Sequence, residues 1–298
     1  MARKNTELQE YIASEIAKYK DVAVPVPSSL FVRLIRKQLP LSKVHPNPDD
    51  EFCFPDIGPN EGIISNYVQA YSRFENDVQG ARIAGAGNIE PIIVQKIRPD
   101  GYMILNGHHR WAAVRRLGWN KIRVQIVNLT LQEDVKRILA RVRNEKRVTL
   151  DLDEVVFAQD TEPAEKPLPL LWRKLYPQRV RLGIPAVFYY LSQHGYDIWV
   201  YTARYDSEDV IRRLLLHHHA PVTGVITGTG RKAGKGGDVK NSFENMVSGK
   251  YSVTVNVDQS SVLRVDNAAK NFEEFRLPGA AGWSQEVLEI FRKLDRQP

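Results

Sequence analysis

The sequence predicts a mixed α/β protein, with an α+β domain followed by a three-layer domain built on a parallel sheet. Three observations carry this. In the second half, apolar strand-like runs alternate with amphipathic stretches of helical length, the pattern of strands joined by crossover helices. In the first half, a strand, the turn Pro99-Asp100-Gly101, a second strand, a Gly loop, a helix and a third strand follow one another closely. Between them, the apolar run Arg147-Val148-Thr149-Leu150 ends in Asp151-Leu152-Asp153, two carboxylates two residues apart at the end of a buried strand.

Along the chain, Asn5 to Tyr19 reads as a helix, with Leu8, Tyr11, Ile12, Ile16 and Tyr19 on one stripe and capping-box spacing at Thr6 and Gln9. Residues 21–60 are rich in Pro and Asp. Glu61 to Phe74 is the second helix. Strands are expected at Ile92–Gln95, Tyr102–Leu105 and Ile122–Val127. A helix at Arg110–Leu117 precedes the last of these, closed by Gly118 and carrying Trp111 in the core. Thr130–Lys146 reads as a connecting helix and puts the domain boundary near residue 146. Beyond it, strands are expected at Val148–Leu152, Ile198–Tyr201 and Ser252–Val257. Helices are expected at Gly183–His194, Asp206–His218 and Asp238–Val247, and from Ser284 onward, where Trp283 and Leu288 form a staple.

Composition narrows the function. No apolar run approaches the roughly 18 residues that span a bilayer, so no membrane partner is expected. The N-terminus has no apolar signal core. The single cysteine, Cys53, forms no intrachain disulfide, which fits a reducing, cytoplasmic location. Residues 1–147 hold 23 Lys and Arg against 16 Asp and Glu, whereas residues 148–298 hold 19 of each. All the excess positive charge lies in the first half, the better candidate for a polyanionic partner such as a nucleotide, nucleic acid or acidic metabolite.

The second half places its chemistry at strand ends. Burying two carboxylates requires compensation, and Mg²⁺ is the hard cation suited to oxygen ligands. Asp151/Asp153, Thr202 and Asp258 each stand at the end of an expected strand, and ligand crevices in open parallel sheets lie at those carboxyl ends. Asp151 suits a nucleophile on phosphorus, and Asp153 suits a proton donor to the leaving oxygen. Thr202 would bond a phosphoryl oxygen, and a lysine, Lys235 or Lys240, would offset transition-state charge. Asp151, Asp153 and Asp258 would share the metal. His217-His218-His219 is read as a helix end, because consecutive helical residues point about 100° apart and share one ion poorly.

This ordered set resembles the haloacid dehalogenase (HAD) superfamily of phosphohydrolases, over about residues 147–295. The resemblance implies a Rossmannoid, HAD-like fold, an aspartyl-phosphate intermediate, Mg²⁺, and Lys240, at a helix start, as the lysine. One position departs from the family pattern: Gln259 follows Asp258 where the family usually has a second acid. Only about 45 residues separate Asp153 from the next strand, which in this family implies an open site.

In the first half, Asn106-Gly107-His108-His109-Arg110 leads into a helix whose free N–H groups suit an anion. A second Gly turn precedes Glu90-Pro91-Ile92. The Gly228–Gly237 loop does not match a Walker A motif. Together with Leu39-Pro40-Leu41-Ser42-Lys43-Val44 and His45-Pro46-Asn47-Pro48, these features resemble the ParB/sulfiredoxin superfamily across about residues 35–128. Sulfiredoxins carry a catalytic cysteine where His108 stands. The box is most similar to the Gly-His-His-Arg of the ParB-like free-serine kinases. That branch implies bound ATP or ADP, with Gly107, His108, His109, Arg110 and Glu90 as binding residues. It also implies a carboxylate base after the first strand, at Asp49, Asp50 or Glu51.

The expectation is a two-domain phosphoryl-transfer enzyme acting on a phosphorylated substrate. Residues 1–146 would form a ParB/sulfiredoxin-like nucleotide-binding domain, for which the resemblance implies kinase activity, and residues 147–298 a HAD-like phosphatase. The rival is a nucleic-acid-binding protein, or a nuclease, whose second half is a non-catalytic scaffold. Backbone binding would weaken steeply with salt, at a slope near 0.9 per phosphate contact.

Overall fold

The computed structural model describes residues 2–76, 90–233, 237–266, 271–277 and 282–296. The chain divides into two compact units, residues 1–128 with 232–237, and residues 129–231 with 238–298.

The first unit runs α1 (Ala2–Tyr19), β1 (Val24–Pro25), α2 (Leu30–Ile35), β2 (Gln38–Pro40), β3 (Val44–His45), α3 (Glu61–Asn76), β4 (Ile92–Arg98), β5 (Tyr102–Asn106), α4 (His108–Arg116) and β6 (Lys121–Ile126). Its mixed sheet has the order β2-β6-β4-β5-β3, with β1 paired to β4. β4 lies antiparallel to β5 and parallel to β6. The buried face of β4 and β5 (Ile92, Val94, Ile104) packs with Leu8 and Ile12 of α1, Ile64 and Tyr71 of α3, and Trp111 of α4. Trp111 is fully buried, as its place in the helical stripe predicts. α1 begins at Ala2, so Thr6 and Gln9 lie inside it and do not cap its start.

The second unit continues with α5 (Gln132–Leu139), β7 (Lys146–Asp151), α6 (Leu170–Leu175), α7 (Ile184–Gln193), β8 (Tyr196–Tyr201), α8 (Glu208–His217) and β9 (Gly224–Ile226). In chain order a short ribbon follows, β10 (Lys232–Ala233) with β11 (Gly237–Asp238), of which residues 232–237 group with the first unit. Then come α9 (Val239–Ser248), β12 (Val253–Val257), β13 (Ser261–Asp266), β14 (Asn271–Arg276) and α10 (Trp283–Leu294). The six-stranded sheet has the order β14-β13-β12-β7-β8-β9. Its four strands β12, β7, β8 and β9 are parallel, and β13 and β14 extend it antiparallel.

Strand alternation explains the layering. Side chains two residues apart share a face. Ile198 and Val200 of β8 join a core with Val187 and Leu191 of α7, Leu214 of α8 and Phe291 of α10. Trp199 and Tyr201 join the opposite core, with Val135 of α5 and Phe243 and Val247 of α9. Helices therefore cover both faces of the sheet. Gly224 permits the close approach of β9 to β8, since a Cβ there would sit 2.1 Å from the Trp199 ring.

Several elements differ from the sequence reading. The helix expected over Thr130–Lys146 is shorter, and the unit break falls before it rather than near residue 146. α5 packs on α9, and Thr130 Oγ1 donates to the Val225 carbonyl at 2.9 Å, so this segment belongs to the second unit. The β13–β14 hairpin was not expected, because its residues are largely polar and half exposed. Between β7 and α7 the chain folds back on itself through bridges at Phe157–Val180 and Ala164–Arg181. Among the described residues, no helix is long and apolar enough to cross a membrane.

Candidate functional site

Two groups of side chains correspond to the expected sites, one in each unit. In the first unit the site begins at Gly107, which stands before α4 with φ of 102°. A Cβ there would lie 2.6 Å from Ile92 Cγ2, so the turn requires glycine. Gly107 offers no side-chain cap, and the first-turn N–H groups of His108, His109 and Arg110 have no intrahelical partner.

The box residues then divide by role. His108 is buried, its Nε2 accepts the Asn47 N–H at 3.1 Å, and its Nδ1 lies 3.5 Å from Asp50 Oδ1. Burial lowers its pKa to about 4, against the opposing pull of Asp50. It is therefore a neutral imidazole that fixes the Asn47–Asp50 loop. His109 is half-buried, and its Nε2 accepts the Asn60 N–H at 3.2 Å. Burial lowers its pKa as well. Phe52 stacks on His108 at 5.4 Å and meets His109 edge-on at 5.0 Å.

Arg110 is held by the protein. It donates to the Glu90 and Pro91 carbonyls at 3.1 and 3.0 Å and to Asn106 Oδ1 at 2.8 Å, and pairs with Glu90 at 2.8 Å. Arg110 and Glu90 thus pin the entry to β4, whereas the sequence reading gave them to a ligand. Gly87, on the turn before Glu90, lies outside the described residues. Of the three acids after Pro48, Asp50 is the one brought to the box. Its Oδ1 also accepts the Phe52 N–H at 3.0 Å. Sequence spacing alone left that choice open.

In the second unit the strand register gathers the expected residues at one edge. Asp151 of β7 is paired with Tyr201 of β8, so Thr202 follows beside it. Leu150 is paired with Val257 of β12, so Asp258 follows on the other side. Asp151 Oδ1 accepts the N–H groups of Asp153 and Glu154, at 2.7 and 2.9 Å, capping a π-helical turn over Leu152–Val156. The Thr202 hydroxyl donates to Asp153 Oδ2 at 2.5 Å. Arg204 lies 3.4 Å from Asp153 Oδ1 and 3.3 Å from Asp206 Oδ2. Burial raises the Asp206 pKa, opposed by Arg204. Gln159 donates to the Asp153 carbonyl at 2.8 Å.

The outer members are looser. Asp258 is exposed, and its N–H donates to the Ser261 carbonyl at 2.9 Å, closing the turn into β13. Lys240 starts α9 with its N–H capped by Asp238 at 2.8 Å, and its ammonium is exposed. Lys235 lies outside the described residues. Among the described residues, no three His, Cys, Asp or Glu side chains form a metal cage. Asp153 faces Thr202 and Arg204, so the three-carboxylate set expected around Mg²⁺ is not gathered. Asp151 and Asp258, all-oxygen donors on neighbouring strand ends, still suit an ion that is held by one or two carboxylates and retains water. His217 closes α8, its ring tilted against Trp172 with centroids 4.6 Å apart, consistent with the helix-end reading of the three histidines.

Sequence reasoning missed Asn47, Arg204, Asp206 and Gln159. Arg204 stands two residues after Thr202, a signal that was present. The others show only once the loops are folded.

Comparison with known proteins reaches part of the chain. Over 103 residues it is 33% identical to a protein named nucleoid occlusion protein from Geobacillus kaustophilus, covering 34% of this chain and 36% of that one. Over 108 residues it is 31% identical to an ATP-dependent L-serine kinase from Staphylothermus marinus, covering 36% and 38%. A 47-residue stretch is 49% identical to an ATP-dependent L-serine kinase from Desulfurococcus mucosus, covering 15% and 18%. The chain therefore spans well under half the length of these relatives. A crystal structure of C-terminally truncated chromosome-partitioning protein ParB from Caulobacter crescentus, complexed with CTP-γ-S, aligns at 22% identity and a TM-score of 0.22, covering 36% of this chain and 58% of that one. Residues 63–141, which include the Gly107-His108-His109-Arg110 box, match the ParB N-terminal domain family.

Proposed function

We propose that the chain is a two-domain phosphoryl-transfer enzyme, whose first unit binds ATP or ADP and transfers phosphate to a hydroxyl. The carrying observation is the start of α4, where among the described residues no side chain caps the N–H groups of His108, His109 and Arg110. Such a helix start favours a phosphate. Asp50, beside His108, would take the proton of an attacking hydroxyl. Two relatives named as ATP-dependent L-serine kinases support the reading. Free L-serine is the first acceptor to test. Calorimetric titration of ADP should show binding by the wild type that Gly107→Ala weakens. ADP formation from ATP and serine should fall in Asp50→Asn. Absence of binding to ATP and ADP would sink this reading.

A second reading concerns the second unit, favoured by the shared edge of Asp151, Thr202 and Asp258. It is that of a HAD-like phosphohydrolase. The Asp151 oxygen not held by backbone N–H groups attacks phosphorus, the bond to the leaving oxygen breaks, and Asp153 supplies the proton that oxygen takes. Water then attacks the aspartyl-phosphate, Asp153 accepts its proton, and the bond to Asp151 breaks. Thr202 and Arg204 orient Asp153 in both steps. Mg²⁺ would be held by Asp151 and Asp258 and would supply charge neutralisation at the phosphoryl group. Phosphate release from p-nitrophenyl phosphate in the presence of Mg²⁺ tests this. Unchanged release by Asp151→Asn would overturn it.

A further inference from the structure

Arg204 and Arg231 both lie on loops that leave the carboxyl edge of the second unit's sheet, but their surroundings differ. Arg204 is exposed and shared between Asp153 and Asp206. Arg231 is half-buried, and among the described residues no carboxylate lies within ion-pairing distance of it. Its Nε donates to the Gly228 carbonyl at 3.0 Å. Burial pushes its guanidinium below the ordinary arginine range, with Tyr205 the neighbour opposing that shift. Gly228 has φ of 69°, and a Cβ there would meet Arg231 Nε at 3.2 Å, so glycine allows the side chain to fold back.

The loop that carries Arg231 is fastened to the loop that carries Thr202. The Gly228 N–H donates to the Arg204 carbonyl at 2.8 Å, and the Thr229 N–H to the Thr202 carbonyl at 3.1 Å. Thr202 in turn donates its own N–H to the Ile226 carbonyl at 3.0 Å. A half-buried guanidinium without a counter-ion is costly, and it gains most from an incoming anion. Four of its five N–H donors remain for bidentate contact with phosphate oxygens. β9 stands two strands away from β7, on the order of 10 Å at ordinary strand spacing. The Gly228 carbonyl that anchors its Nε is therefore set apart from the strand end that carries Asp151.

We infer that Arg231 receives a second phosphate of the substrate, about two strand spacings from the phosphoryl group that meets Asp151. The inference rests on the hydrolytic reading of the second unit and narrows its substrate to a bisphosphorylated compound.

The test uses the full chain and two phosphoesters without a nucleoside, so that nucleotide binding by the first unit does not contribute. These are hexyl phosphate and 1,6-hexanediol bisphosphate. Binding and hydrolysis are measured for the wild type, Arg231→Gln and Arg231→Lys. The wild type should favour the bisphosphate by about tenfold or more, the worth of a charge-assisted contact, and Arg231→Gln should lose that preference. Should Arg231→Gln melt early, Arg231→Lys carries the comparison, since it keeps the charge and loses the planar fork. Equal binding of the two esters by the wild type, or a preference that survives in both variants, overturns the inference. Hydrolysis of p-nitrophenyl phosphate by the wild type is the separate check. Its absence rejects the hydrolytic reading, while the binding preference still decides the role of Arg231. A 3′-phosphorylated oligonucleotide forms the last arm. Its advantage over hexyl phosphate must also fall in Arg231→Gln if the second phosphate comes from a nucleic-acid backbone.

Discussion

The Thr202 hydroxyl donates to Asp153 Oδ2 at 2.5 Å, and Thr202 Oγ1 in turn accepts the Arg204 backbone N–H at 3.0 Å. One fully buried hydroxyl thus holds an acidic side chain and also shapes the loop that brings Arg204 to that acid. The sequence reading gave Thr202 a phosphoryl oxygen as its partner. In the fold its hydroxyl is bonded to Asp153 and to the Arg204 N–H.

Thr202→Val keeps the shape of the side chain and removes both hydrogen bonds. The Arg204 N–H loses its partner and Asp153 Oδ2 loses its donor. The expected cost is about 1–3 kcal/mol, the price of leaving a buried polar group unmade. Urea unfolding measures it, and Thr202→Ser should recover most of the loss. A valine variant as stable as the wild type would show that the hydroxyl is dispensable.

Arg181 is buried and depends on Glu162. Its guanidinium lies 3.0 Å from the Glu162 carboxylate and donates to the Glu154 carbonyl at 2.8 Å. Gln259 also donates to Glu162, at 3.2 Å. Glu162→Ala leaves a buried cation without its partner and should destabilise the second unit by about 3–5 kcal/mol. Removing both charges in Glu162→Ala/Arg181→Met should cost less than the single change. Denaturation of the two variants decides the matter, and equal losses would argue against an ion-pair origin.

The elements that were legible in the sequence are those whose pattern is dictated by burial. β8 is apolar on both faces and β7 and β12 on one, α4 is set between Gly107 and Gly118, and their order predicts the edge where Asp151, Thr202 and Asp258 meet. Segments with no such pattern were not legible. β13 and β14 are polar on a sheet edge, and α5 was read too long because Val142 returns to the core after the helix has ended. At the sites, residue types were readable and orientations were not. Arg110 and His108 carry the chemistry of ligand binding, yet Glu90 and Asn47 hold them within the protein. A sequence lists donors but not which acceptor lies nearer.

Gly107→Ala tests the turn before α4. The residue sits at φ of 102°, and the added methyl would lie 2.6 Å from Ile92 Cγ2. Backbone strain at such a position is on the order of 1–3 kcal/mol, and the clash adds to it. The first unit should therefore lose stability, and the N–H groups of His108 and His109 should move. Gly118, at φ of 71° with open space around its Cα, provides the control, because alanine there meets strain but no clash. Urea unfolding that finds Gly107→Ala no worse than Gly118→Ala would refute the requirement for a close approach.

His108 gives the first unit a specific dependence on pH. Its pKa falls from the ordinary 6.5 to about 4, chiefly through burial. Below pH 6.5 the unfolded chain takes up a proton on this residue, and the folded chain does not until about pH 4. Its contribution to stability is therefore full above 6.5, is lost progressively as the pH falls, and levels off below about 4. The span corresponds to about 3 kcal/mol, at 1.36 kcal/mol per unit. His45, His109 and His218 are also shifted downward by burial and add slopes of the same sign. Substitution isolates the share of His108. Glutamine in His108→Gln retains an acceptor for the Asn47 N–H and has no charge to gain. Its stability at neutral pH should be lower than that of the wild type, and its decline toward acid should be shallower by the same few kcal/mol. Urea unfolding across that pH range compares the two. Parallel curves would mean that protonation of His108 is not what the fold resists.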